Sequence, residues 1–92
     1  MELLKYNEAY AINEDTALGW IVTGSVLKDQ GNALHIDFTA NLQDQHVGSV
    51  NYNVGEDGLI NLNLNYRKEN QAEFEAYATE SLAHIFSELN LR

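Results

Sequence analysis

The sequence predicts an α+β fold, a four-stranded antiparallel β-meander (residues 20–27, 33–42, 46–54 and 59–66) with a C-terminal helix (71–89) packed on one face. Three observations predict it. Apolar and polar residues alternate through the middle of the chain, the spacing of half-buried strands. The segments between these runs have the length and turn residues of hairpin loops. After Tyr66 the apolar period changes from 2 to 3.6, the period of a helix.

Residues 2–12 fit two templates equally. As a helix, Leu3, Tyr6, Asn7, Tyr10 and Ala11 share a face; as a strand, Leu4, Tyr6, Tyr10 and Ile12 alternate on one side, interrupted by Glu8. The expectation is an N-terminal helix ahead of an Asn13-Glu14-Asp15-Thr16 turn, with a fifth strand as the alternative. In the strands that follow, the apolar set falls on even numbers. It comprises Trp20, Val22 and Val26, then Leu34, Ile36, Phe38, Ala40 and Leu42, then Val50, Tyr52 and Val54, then Ile60, Leu62, Leu64 and Tyr66. Asp29-Gln30-Gly31 and Glu56-Asp57-Gly58 both place Gly third, where a three-residue hairpin loop needs a left-handed residue. Gln43-Asp44-Gln45 has the length without the glycine. Centred on residues 30, 44 and 57, the loops bring even residues opposite even residues in every strand pair, as one buried face requires.

In the helix, Phe74, Ala78, Leu82, Ile85 and Leu89 form a stripe flanked by Tyr77, Ser81 and Phe86. Asn70 with Glu73 reads as an N-cap and its capping-box partner. Asn90 and Leu91 read as a C-terminal Schellman cap against Phe86. The helix, ~28 Å long, matches strands of ~27–30 Å. One helix about 10 Å wide cannot cover four strands ~4.8 Å apart. The N-terminal segment or a partner subunit is expected to cover the rest.

The odd face is unusual. In Leu59-Ile60-Asn61-Leu62-Asn63-Leu64-Asn65-Tyr66 three consecutive outward positions are Asn, a residue depleted from strands. The expected register lines up Ser25, His35, Asn53 and Asn61 in one row, Thr23, Asp37, Asn51 and Asn63 in the next, then Ile21, Thr39, Ser49 and Asn65. Only Asp37 among these carries a formal charge, although the chain has 14 acids to place. The bland explanation is cross-strand hydrogen bonding between small polar side chains. The functional one is a contact surface, since an uncharged face is cheap to desolvate. Sugar binding is a third, weakened by the lack of an aromatic platform. The last strand also has little edge protection, with no Pro and no Lys before Arg67-Lys68.

Composition narrows the function. Ninety-two residues suit one domain. No Cys is present, which removes disulfides and thiol nucleophiles. No basic, apolar leader and no run of about 20 apolar residues occurs, so a soluble, cytoplasmic chain is expected. The net charge of −9 argues against nucleic acid and anionic membrane as partners. That charge is evenly spread: one base and four acids in residues 1–18, two and five in 19–67, two and five in 68–92.

Chemical motifs are weak. Ser25, His35 and Asp37 invite a triad reading, but a flat strand centre offers no oxyanion donors. His35, His46 and His84 lack metal-ligand spacing. The segment around Gly58 fails as a calcium loop because Asn53, Gly55 and Leu64 occupy ligand positions. No phosphate-binding or dinucleotide motif occurs. Neither cofactor nor metal is expected. Trp20, Phe74, Tyr77 and Phe86 could line a pocket but serve better as core. The expected function is a small, acidic, non-enzymatic protein-interaction module: an adaptor, a self-associating subunit (a homodimer, for instance) or a small chaperone. Its expected surface is Thr23, Ser25, His35, Asp37, Thr39, Ser49, Asn51, Asn53, Asn61, Asn63 and Asn65, together with the edge strand. The alternative is an acidic inhibitor of the immunity, antitoxin or phage-encoded kind that neutralises a basic partner. A small-ligand binder or enzyme comes third.

Overall fold

A computed structural model describes residues 1–6, 9–28 and 34–89. It is α+β, with an antiparallel sheet and one C-terminal helix. The strands are β1 (Glu2–Tyr6), β2 (Ala9–Asp15), β3 (Ile21–Lys28), β4 (Leu34–Leu42), β5 (Gln45–Val54) and β6 (Ile60–Tyr66). A 3₁₀ turn (Lys68–Asn70) leads into α1 (Gln71–Glu88). The sheet has six strands rather than the expected four, in the order β1-β2-β3-β4-β5-β6.

The correction lies in the N-terminal segment, which forms neither a helix nor a single extra strand. It supplies two strands, and their pairing (Leu3↔Ile12, Leu4↔Ala11) joins odd residues of β1 to even residues of β2. The face-to-residue parity therefore changes between them, which is why no single alternation ran through the segment. Ile12 is buried, Leu3 packs against the core, and Leu4 points the other way, about half exposed. The expected turn at 13–16 is also displaced. Asn13, Glu14 and Asp15 belong to β2, and the turn is tied by Thr16 N to Trp20 O at 2.9 Å and Trp20 N to Thr16 Oγ1 at 3.1 Å.

The registers test the loop reading. Between β5 and β6 the expected register holds from Gly48↔Tyr66 to Val54↔Ile60. Gly55 N donates to Leu59 O at 3.0 Å around a loop in which Gly58 has φ of 83°. Only a residue without Cβ takes that conformation at no steric cost. Between β4 and β5 the expected register also holds from Leu34↔Val54 to Ala40↔Gly48. The loop itself differs. Gln43 and Asp44 both have positive φ, the signature of a two-residue type I′ turn. A register shift at Ala40/Asn41 restores the count and turns Val47 into the core. Between β3 and β4 the register sits two residues from the expected one, with Ser25 opposite Asp37 and Leu27 opposite His35. The Asp29-Gln30-Gly31 turn lies outside the described residues. Parity survives the shift, so the apolar face is unchanged.

That face packs on α1. Val22, Val26, Ile36, Phe38, Ala40 and Val50 are buried against Phe74, Ala78, Leu82, Ile85 and Phe86. Gly48 lies beneath the helix, where a Cβ would come within 2.7 Å of the Phe74 ring, so the missing side chain lets the helix approach the sheet. Aromatic rings supply the width that one helix lacks. Trp20 contacts Phe74 and Tyr77 with centroids at 6.0 and 5.9 Å, Tyr52 contacts Phe86 at 5.2 Å, and Tyr66 contacts Phe74 at 5.6 Å. The N-terminal segment thus widens the sheet instead of roofing it. The capping box is absent: Asn70 occupies the N-cap position without a side-chain cap bond. The preceding 3₁₀ turn holds it instead, through Asn70 N to Arg67 O at 3.0 Å. Asn90 and Leu91 lie outside the described residues.

Candidate interaction surface

All odd-numbered strand positions singled out in the sequence lie on the face turned away from the helix. The rows are Leu27, His35, Asn53 and Asn61; Ser25, Asp37, Asn51 and Asn63; and Thr23, Thr39, Ser49 and Asn65. The second row continues through Ala11 and Leu4, and the third through Asn13. Among the described side chains on this face, Asp15 and Asp37 carry the only formal charges. Leu4, Ile21 and Leu27, each about half exposed, add an apolar component at its β1–β3 side.

Part of this face is internally bonded. His35 Nδ1 pairs with Asn53 Oδ1, and Asn53 Nδ2 donates to Asn51 Oδ1. The first bond crosses from β4 to β5 and the second runs along β5. They leave the β6 column of Asn61, Asn63 and Asn65 as the outermost, solvent-facing part. The shifted register also separates the triad residues. His35 faces Leu27 and bonds Asn53, whereas Ser25 faces Asp37, so no serine–histidine pair is formed.

The feature that sequence alternation concealed lies on the other side of β6. Ile60 and Leu62 point to the helix side, as even residues should, yet remain 60% and 50% exposed, and the adjoining Leu59 is 66% exposed. Leu64 and Tyr66 at the far end of the strand pack against the core. The helix covers one end of β6 and not the other. The signal available in the sequence was the mismatch between helix width and sheet width, which leaves the last strand short of cover.

Backbone hydrogen bonding adds a third element. Gly55 N→Leu59 O and Arg67 N→Val47 O, each 3.0 Å, mark both ends of the β5–β6 ladder. In an antiparallel pair, bonded and non-bonded positions alternate. Leu59, Asn61, Asn63, Asn65 and Arg67 therefore bond to β5. Ile60, Leu62, Leu64 and Tyr66 turn their N–H and C=O groups outward, and no described strand lies there. The opposite edge, β1, contains Glu2 and Lys5, whereas β6 has no charged residue.

The groups whose pKa values shift lie on the helix side of the sheet. Tyr77 donates to Glu14, and the Met1 ammonium lies 2.9 Å from the same carboxylate. Burial opposes the charge of Glu14, but the Tyr77 hydrogen bond, the ammonium and His84 outweigh it and hold its pKa below the ordinary carboxylate value. Burial, reinforced by Glu14, pushes the Tyr77 hydroxyl up. Tyr66 donates to Glu75 at 2.7 Å, which lowers the Glu75 pKa and raises that of Tyr66. Met1, Glu14, Tyr77, Glu80, Ser81 and His84 line an open depression of about 190 Å³, below the ~300 Å³ at which ligand pockets begin. Among the described residues no three His, Asp or Glu side chains converge as metal ligands, and no helix is long and apolar enough to cross a membrane. Comparison with protein-family models, with curated proteins and with solved structures found no match.

Proposed function

We propose that this chain is a small, acidic, non-enzymatic protein-interaction module that docks partners on its open sheet face and along β6. The observation that carries the reading is β6 itself. One strand combines an open backbone ladder, two half-uncovered aliphatic side chains and a column of uncharged amides. A sheet edge of this kind pairs with another extended segment unless it is guarded, and here neither charge nor proline guards it. Among the described side chains only Asp15 and Asp37 bring an acid to the open face, so docking there desolvates few charges. The alternative, an acidic inhibitor of a basic partner, draws no support from the placement of its acids. Asp44, Glu56 and Asp57 lie at turns, whereas Glu73, Glu80 and Glu88 run along one side of the helix, all exposed, so the exposed acids are divided between separate parts of the surface.

The test is affinity capture from extract of the source cells with the native chain, an Asn51→Arg/Asn63→Arg variant and a Leu62→Lys variant. Their thermal midpoints are compared first, because both sets of positions are solvent-exposed and the fold is expected to survive. Partners held by the native chain and lost by either variant support the reading. Retention of every partner by both variants sinks it.

A further inference from the structure

We propose that the occupant of the β6 edge is a second copy of this chain, paired antiparallel across a two-fold axis at Asn63. This rests on the reading of β6 as a docking edge and names its partner.

The argument is one of self-complementarity. A two-fold axis perpendicular to the sheet lays a strand antiparallel against a copy of itself, so a strand with a net charge meets the same net charge. In a chain of net charge −9, β6 contains no Asp, Glu, Lys or Arg. β1, the other edge, contains both Glu2 and Lys5. The outward N–H and C=O groups belong to Ile60, Leu62, Leu64 and Tyr66. With the axis at Asn63, the centre of Ile60–Tyr66, Ile60 lies opposite Tyr66 of the other copy and Leu62 opposite its Leu64. All four outward residues then form hydrogen-bonded pairs, and the strand overlaps its mate over its full length.

Side chains follow the same register. On the helix side, the uncovered half of one β6 comes beside the covered half of the other, so Ile60 and Leu62 gain apolar neighbours. On the open side, Asn63 meets Asn63 and Asn61 meets Asn65, extending the amide rows already present. The two helices lie on the same side, and the six strands of each copy join into one continuous sheet.

The chain has no Cys, which makes the register directly testable. The Asn63 pair is non-hydrogen-bonded, with Cα atoms about 4.5 Å apart, within disulfide reach. Asn51 lies one strand further in on each copy, so its two positions are about 14 Å apart, beyond reach. Under mild oxidation Asn63→Cys is expected to form a cross-linked dimer and Asn51→Cys to stay uncross-linked. Light scattering of the native chain should give twice the 10.4 kDa chain mass, and Leu62→Lys should return it to the single-chain value. A native chain that is monomeric at high concentration overturns the proposal, as does a dimer that Asn63→Cys does not trap. If the native chain is monomeric and Leu62→Lys still loses a captured partner, the self-pairing fails while the docking-edge reading stands.

Discussion

Tyr77 ties the helix to the sheet at a single hydroxyl. Its ring stands edge-on to Trp20 and Phe38, and its hydroxyl donates to Glu14 on β2. Removing the hydroxyl deletes its bonds to Glu14 and Ser81, of which only the first is to a carboxylate. Tyr77→Phe is expected to cost about 1.5–3 kcal/mol at pH 7, the range for hydrogen bonds to charged groups, measured by urea unfolding. The pH dependence has a definite sign. Glu14 has a folded pKa below its unfolded value, so its contribution is complete above the ordinary carboxylate pKa and is lost as pH falls through the folded one. The gap between wild type and Tyr77→Phe should therefore narrow on acidification. A gap that stays constant from pH 7 to pH 3 would show that Glu14 is not the group involved.

At the scale of elements, β6 and β1–β2 show what alternation can and cannot reveal. In β6 it assigned every side chain to the correct side of the sheet, because period 2 depends only on the strand being extended. It could not tell that Ile60 and Leu62 stay uncovered, since cover depends on how far α1 reaches. In β1 and β2 the change of parity between two short strands hid both, and the mixed pattern resembled a helix. The β4–β5 loop was assigned the wrong turn and still the right register, because the bulge at Val47 replaced the residue that the shorter turn removed. The β3–β4 error displaced Ser25 from His35 and so dissolved the apparent triad. The ladder of β6 carries its own prediction. In the Leu62→Lys variant, amide exchange should alternate along the strand, with Asn61, Asn63 and Asn65 protected and Ile60, Leu64 and Tyr66 exchanging fast. Uniform protection would mean that the outer edge is occupied.

For the molecule as a whole, the fold class, the buried stripe of α1 and the polar character of the open face were legible because each follows from local periodicity. The uncovered aliphatics of β6 depend on the relative placement of elements distant in sequence, which no local pattern encodes. Strand order in the sheet is also the order of the strands in the chain. Each hairpin can therefore close against a neighbour already in hand, which keeps the entropy of loop closure small. With no proline in the sequence, the slow isomerisation that often limits refolding has no bond to act on. Dilution of the Leu62→Lys variant from denaturant, followed by Trp20 fluorescence, should show one exponential phase complete well within a second. This sheet adds strand upon strand in chain order, and β6, the last strand of the sequence, leaves its outer edge open to the next extended segment it meets.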